Sequence, residues 1–475
     1  MPKYFFMRRS RRILPKLENV EIIDAGAEGK AVGRVNDKVV FIPYAVPGDI
    51  VNVQVTKKKK SYLEARILDF IKYSDLRIDA ECEHFGICGG CKWQHLKYED
   101  QLRFKQKQVF DALTRIAKID ATSILPIIGN KEIFFYRNKL EFTFSNFKWL
   151  TDFSKDISIE ERNLNALGFH IPNMFDRILD IEKCYLQSDP SNEIRLAVRD
   201  YSMQNKFEFY DIKNHQGFLR NLIIRTSTTS DLMVIVVFAS ENLLQQNALL
   251  QMLSDKFPQI SSLMYVINEK SNDSITDQEV KLFSGSDYIF EVMGDLKFKI
   301  GPKSFYQTNS IQAHQLYNVV CDFANLNSQD VVYDLYTGTG TIANFIAKKT
   351  KKVIGIEYVE EAINDAKMNS KINNIDNTEF YAGDMIKVLN DEFVESHGKP
   401  DVIITDPPRA GMHPDVLGML IKILPKKIVY VSCNPATQAR DLELLKQYFA
   451  IIRIQPVDMF PQTAHVENVV LLEKI

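Results

Sequence analysis

Val331-Val332-Tyr333-Asp334-Leu335-Tyr336-Thr337-Gly338-Thr339-Gly340 is the stretch on which the fold turns. Its first five residues, ending in Leu335, have the length and β-branching of a buried strand. Two glycines follow, and residues 342–349 resume with helical spacing. Strand, glycine turn and helix in that order open an α/β layer. Further strands are predicted at 353–357, 378–381, 401–405, 427–432, 451–456 and 466–472, with helices at 360–373 and 437–448. The C-terminal part is therefore expected to be a doubly wound, Rossmann-like α/β sheet with its chemistry at the C-terminal strand ends.

Glycines in the 334–340 loop let backbone N–H groups approach a ligand at the positive end of a helix. Glu357 ends the next strand, 17 residues beyond Gly340. An acidic side chain there can accept hydrogen bonds from ribose hydroxyls. Asp384 follows the third strand. Ala343 stands where a dinucleotide fingerprint has its third glycine, and no Lys-Ser/Thr phosphate loop is present. The pattern suits S-adenosylmethionine better than NAD or ATP.

Two more strand ends carry chemistry: Asp406-Pro407-Pro408-Arg409 after the fourth strand and Ser432-Cys433-Asn434-Pro435 after the fifth. A lone cysteine is most often a small buried hydrophobe. One followed by Asn-Pro is turning out of the sheet, which makes Cys433 a candidate nucleophile. Glu467, in His465-Val466-Glu467 at the mouth of the last strand, is a candidate base. The alternative for Glu467 is a surface carboxylate at a strand end.

Toward the N-terminus, residues 1–16 hold six basic side chains and no acidic one, and residues 57–60 are four consecutive lysines. The first dozen residues read as a disordered basic arm. Short β-rich runs at 20–23, 29–33, 39–42, 51–55 and 65–68 suggest a small barrel of the OB type. Basic runs flanking such a barrel favour a phosphate-binding face over plain solvated surface. A helix is predicted over 98–118, and a β-rich region over about 126–291, with strands at 136–144, 222–226 and 232–238.

Cys82, Cys88 and Cys91 cluster with two glycines between the last pair, a spacing that suits metal ligation. Cys184 is the nearest remaining candidate for a fourth ligand; spacing alone does not separate zinc from iron–sulfur. Cys321 lies in an apolar, helix-like segment and reads as core. Across the 475 residues, 45% are hydrophobic, 25% are charged and the net charge is −2, an ordinary globular composition. No apolar run approaches the ~20 residues of a membrane span. No secretory h-region is read in the first residues, and a cytoplasmic location, without membrane association, is expected.

Asp406-Pro-Pro-Arg, Ser-Cys433-Asn-Pro-Ala-Thr and His465-Val-Glu467 together resemble the RNA uracil-5 methyltransferase family, the RlmD/TrmA class. The resemblance covers nearly the whole chain and is densest from Phe305 to Glu467. It implies that Cys433 is the nucleophile, adding to carbon 6 of a uridine, and that Glu467 accepts the carbon 5 proton. Ser304-Phe305-Tyr306-Gln307-Thr308-Asn309 looks like a family motif in which Gln307 contacts cofactor and substrate. Tyr336, Glu357 and Asp406 match cofactor-binding positions, with Asp384 and Thr341 as further candidates. Tyr136-Arg137-Asn138-Lys139 resembles a family segment near the RNA; read by itself it is a strand with a basic face.

The barrel and the cysteines make the chain similar to the 23S rRNA branch. That likeness implies a TRAM domain over residues 15–74 and a central iron–sulfur and RNA-binding domain over 75–92 and 130–295. It implies a methyltransferase domain over 93–129 and 296–475, and a [4Fe-4S] cluster on Cys82, Cys88, Cys91 and Cys184. The expected partner is 23S rRNA, bound by a monomer. A tRNA uridine is the alternative substrate, and a non-catalytic RNA-binding or ribosome-assembly factor the alternative class.

Overall fold

The period-two burial of Val51, Val53 and Val55 shows how the N-terminal segment folds: one side of each strand faces inward. In a computed structural model of the chain, which describes residues 14–151 and 163–475, this segment is a closed barrel. Its strands are β1 (Lys16–Ala25), β2 (Lys30–Val35), β3 (Lys38–Pro43), β4 (Ile50–Lys58) and β5 (Tyr62–Lys72), in the order β1-β2-β3-β5-β4, with β4 pairing back onto β1. Val20, Ile22, Val40 and Ile42 fill the interior, and Lys57 to Lys60 are exposed. The basic arm expected over the first dozen residues lies outside the described residues.

The chain divides into two compact units. One holds the residues up to 81, 92–104 and 462–464; the other holds 82–91, 105–461 and 465–475. The second unit contains two seven-stranded sheets and a ribbon. Its first sheet consists of β6 (Lys139–Ser145), β7 (Ala166–Ile171), β8 (Met174–Asp180), β9 (Leu219–Thr226), β10 (Leu232–Phe238), β11 (Ser262–Ile267) and β12 (Val280–Gly285), ordered β12-β11-β10-β9-β6-β7-β8. β10 is buried at every residue, as its unbroken apolar run requires. The two-stranded ribbon is β13 (Ile289–Met293) with β14 (Leu296–Ile300).

The second sheet consists of β15 (Val331–Leu335), β16 (Lys352–Glu357), β17 (Thr378–Ala382), β18 (Val402–Thr405), β19 (Lys427–Ser432), β20 (Phe449–Val457) and β21 (Glu467–Lys474). Its order is β17-β16-β15-β18-β19-β21-β20. Val332, Ile404 and Val429 face one core while Leu335, Ile403 and Tyr430 face another, so the parallel strands are covered on both sides. β21 alone runs against its neighbours. The first residue of β21 therefore emerges where β15, β18 and β19 end, and that reversal builds the site.

Two elements differ from the sequence reading. The strand expected at 136–144 begins only at Lys139, because Phe135 is left-handed (φ 55°) and Asn138 spends its N–H on the Thr308 carbonyl. The helix expected over 98–118 is regular only as Tyr98–Ala112 and continues as a π turn to Ala117.

Candidate active site

Register sets the central geometry. Ser432 of β19 faces Asn468 of β21, so Cys433, the next residue, leaves the sheet opposite Glu467. The Ser432 hydroxyl accepts from the Asn434 N–H at 3.1 Å. Asn434 caps the helix Pro435–Leu445 by accepting from the Ala436 N–H. Cys433 is thus held between a strand end and a capped helix start, half-buried rather than packed in the core.

The Asp406 loop closes over the same spot. The Arg409 carbonyl accepts from Asn434 Nδ2 and Thr437 Oγ1, each at 3.1 Å. Its guanidinium charge acts on the Cys433 sulfur in the direction that favours the thiolate. Burial, then the charges of Glu467 and Asp406, push the Cys433 thiol up to about 11, against the lowering charge of Arg409. Glu467 is buried, and burial together with the Asp406 carboxylate holds it above the ordinary carboxylate range; burial does the same for Asp406. Two carboxylates this close share protons as a pair. Arg409 opposes both shifts, at the thiol and at Glu467. The sequence reading assigned it no role, although its place after two stiff prolines was visible in the motif.

The loop after β15 provides a ligand cradle. Tyr336 takes a left-handed φ of 63°, a strained conformation for a bulky side chain and one characteristic of functional loops. A Cβ added at Gly338 (φ +55°) would meet nothing within 4 Å, whereas one at Gly340 would stand 2.8 Å from Ala366 Cβ. One glycine borders open space; the other permits helix packing. Glu357 at the end of β16 accepts from the Gly338 N–H at 3.1 Å and from the N–H groups of Tyr358 and Val359. Thr341 begins the helix Thr341–Ala347, within 3.2 Å of the buried Tyr317 hydroxyl. Asp384 caps the short helix Met385–Val388 by accepting from the Ile386 N–H. Asp334 is buried, bonded by Thr337, and raised to about 7 chiefly by burial. Open backbone beside Gly338, with carboxylates at three strand ends, fits the ribose, amine and sulfonium groups of S-adenosylmethionine.

Gln307 enters from outside the sheet on a segment pinned along its length. Ser304 donates to Asp365, and its carbonyl accepts from the buried Arg225 at 2.7 Å. The Phe305 carbonyl accepts from Thr339 Oγ1 at 3.2 Å, which ties the segment to the cradle loop. Asn309 caps the helix Ser310–Ala324 and donates to the Met459 carbonyl at 2.9 Å.

The four expected metal ligands lie elsewhere in the same unit. Cys184 is buried in the core beneath the first sheet; Cys88 and Cys91 pack against that core, and the Cys82 charge acts on Cys184. N–H groups point at three of the sulfurs: His84 and Phe85 toward Cys82, Gly90 toward Cys88 at 3.4 Å, and Leu186 toward Cys184. Burial outweighs these donors at Cys82 and Cys184, whose thiols are pushed up. Among the described residues no three His, Cys, Asp or Glu side chains form a group that could hold a metal ion. The ligand set expected from the resemblance is not supported by the geometry. The thiols gather beside one core without meeting as ligands of a single ion.

Comparison with known proteins adds independent observations. Residues 275–475 match the family described as tRNA (Uracil-5-)-methyltransferase, and residues 16–68 match the TRAM domain. A protein of Bacteroides thetaiotaomicron named "Uncharacterized RNA methyltransferase" is 56% identical over 94% of this chain and 99% of its own length. One of the same name from Porphyromonas gingivalis is 54% identical over 95% and 99%. The crystal structure of Pyrococcus abyssi tRNA (uracil-54, C5)-methyltransferase in complex with S-adenosyl-L-homocysteine superposes with a TM-score of 0.74 at 29% identity, covering 96% of this chain and 100% of that one. No helix among the described residues is long and apolar enough to cross a membrane.

Proposed function

Because the chain belongs to the RNA uracil-5 methyltransferase family, with a TRAM domain at its N-terminal end, we propose that Cys433 and Glu467 carry out covalent methylation of carbon 5 of a uridine in 23S rRNA. The observation that carries this reading is the facing of Cys433 and Glu467 across the β19–β21 register, with the Arg409 charge acting on the sulfur. Carbon 5 of uracil is a poor nucleophile. The Cys433 thiolate adds to carbon 6, and the ring electrons become an enolate whose carbon 5 is nucleophilic. S-adenosylmethionine would supply the methyl group as an electrophile, the broken S–CH3 pair staying on its sulfur, which leaves as a neutral thioether. Glu467 then takes the carbon 5 proton, and the electrons of that C–H bond re-form the C5–C6 double bond and expel the Cys433 thiolate. Arg409 is the cation that favours the thiolate over the thiol, before addition and after release, against the burial that raises it. Gln307, Tyr336, Thr341, Glu357, Asp384 and Asp406 hold and orient cofactor and base. The target nucleotide has to leave its stack for Cys433 to reach one face of the ring.

Incubating the chain with methyl-labelled cofactor and total RNA tests the reading. 5-Methyluridine in 23S rRNA is expected, together with no transfer by Cys433→Ala at retained cofactor binding. Turnover by Cys433→Ala would sink the covalent route, and label confined to tRNA would reassign the substrate. The tRNA alternative draws on the Pyrococcus likeness; the rRNA reading draws on the TRAM barrel and the cysteines.

The cluster is the finer part of the proposal. Cys82, Cys88, Cys91 and Cys184 would hold a [4Fe-4S] group that organises this region and takes no redox part in the transfer. What supports it is the resemblance and the packing of Cys88, Cys91 and Cys184 at one core, although the four thiols do not close on a single ion. A cluster binds each thiolate at its own iron, so the sulfurs stand further apart than around one ion. Iron and acid-labile sulfide in the anaerobically purified chain are expected near four each and lost in Cys184→Ser. Zinc in their place would overturn it.

A further inference from the structure

Residues 136–138 touch both walls of the active site and the cysteine region at once. The buried Tyr136 donates its hydroxyl to the Pro461 carbonyl at 2.9 Å. Pro461 ends the turn that follows β20, whose last residue, Val457, is the cross-strand partner of Glu467. That turn is held at every residue: Lys105 binds Asp458 and the Phe460 carbonyl, Asn309 holds the Met459 carbonyl, and Tyr136 holds Pro461. Two residues along, Asn138 Nδ2 donates to the Gln307 carbonyl and to Ser310 Oγ, each at 2.9 Å, and the Asn138 N–H donates to the Thr308 carbonyl at 2.8 Å. On its other side the segment pairs with the residues after Cys184. Phe135 N–H donates to Tyr185 and Arg137 N–H to Leu186. The Tyr136 ring shares the core of Cys184, with Cys91 packed against it.

We propose, resting on the function above, that Tyr136 and Asn138 are positioning residues for the methyl transfer: a strap that aims Glu467 through the Pro461 turn and Gln307 through its backbone. The strap carries no reacting atom. Its importance follows from tolerance, since a misplacement of about 1 Å in a catalytic group costs ~100-fold in rate. A phenylalanine would fill the Tyr136 site, and burial holds its hydroxyl protonated, as a donor. Residues 136–138 precede the strand, which starts at Lys139.

Full-length Tyr136→Phe and Asn138→Ala, purified anaerobically, test this against a purely structural role. For Tyr136→Phe, cofactor affinity and thermal midpoint should stay at wild-type values while kcat falls ~10-fold. The lost step should be proton removal. RNA carrying 5-deuterated uridine should show a primary isotope effect absent or smaller in wild type, and the methylated Cys433–RNA adduct should accumulate. Asn138→Ala should raise KM for RNA without that isotope signature, because it loosens Gln307 and not Glu467. Wild-type kcat in Tyr136→Phe, or a fall with no isotope effect and no adduct, overturns the strap while leaving the methyltransferase reading intact. Failure of the wild-type chain to form 5-methyluridine overturns that reading and takes the strap with it.

Discussion

Arg409 bears directly on the ionisation of Cys433, the proposed nucleophile. Burial and two carboxylates raise the Cys433 thiol, and Arg409 is the cation that lowers it. Arg409→Ala should therefore shift the pH dependence of Cys433 alkylation upward, and Arg409→Lys should recover only part, since a point charge replaces a planar donor. An unchanged alkylation profile would remove Arg409 from the mechanism. Glu467→Gln should still form the Cys433 adduct, yet lose ~100-fold or more in its resolution; rapid release of methylated product would rule Glu467 out as the base. Because Asp406 and burial keep Glu467 protonated above the ordinary carboxylate range, the acid limb of kcat/KM should lie well above pH 4.5, the usual value for a glutamate. The residue types were legible in the motifs. Their mutual electrostatics were not, because those depend on distances across three strand ends.

At the scale of elements, β21 matters most. A hairpin in which the last strand inserts antiparallel between β19 and β20 brings Glu467 to Cys433. Strands such as β10, β15 and β19 could be read from continuous apolar runs, whereas nothing local states which neighbour β21 chooses. The turn before β21 rests on an ion pair between Lys105 and Asp458, at 2.6 Å with both side chains fully buried. Removing one partner leaves an uncompensated buried charge, so Lys105→Met should cost about 3–5 kcal/mol in denaturant unfolding. Lys105→Met with Asp458→Leu should recover much of it. A single-variant loss below about 1 kcal/mol would mean the pair is solvated in solution.

For the whole molecule, the cofactor end of the sheet concentrates raised carboxyls: Asp334 at about 7, with Asp406 and Glu467 also above their ordinary values. In this window the folded chain holds protons that the unfolded chain has released, so stability falls as pH rises from the ordinary carboxylate range toward neutrality and just beyond. Melting of the cofactor-free chain should show this slope. S-adenosylmethionine, whose sulfonium is positive, should stabilise the chain by a larger margin above pH 7 than below it. Equal cofactor stabilisation at pH 6 and 8 would argue that these carboxyls do not face the ligand.

Composition, the strand–glycine–helix stretch at 331–340 and the three strand-end motifs determined the α/β class and the cofactor class, and singled out Cys433 and Glu467 as the candidate reactive side chains. Those signals are local: a glycine loop, a cysteine before Asn-Pro and a carboxylate at a strand mouth can each be read from a few consecutive residues. Tertiary structure alone decided that Glu467 faces Cys433, that the Arg409 charge acts on the sulfur and that Tyr136 and Asn138 bond the Pro461 and Gln307 carbonyls, because each depends on pairing between segments far apart in the chain. The cysteines fall between the two. Their spacing suggested a ligand set, and the fold gathers them beside one core without closing them on a single ion.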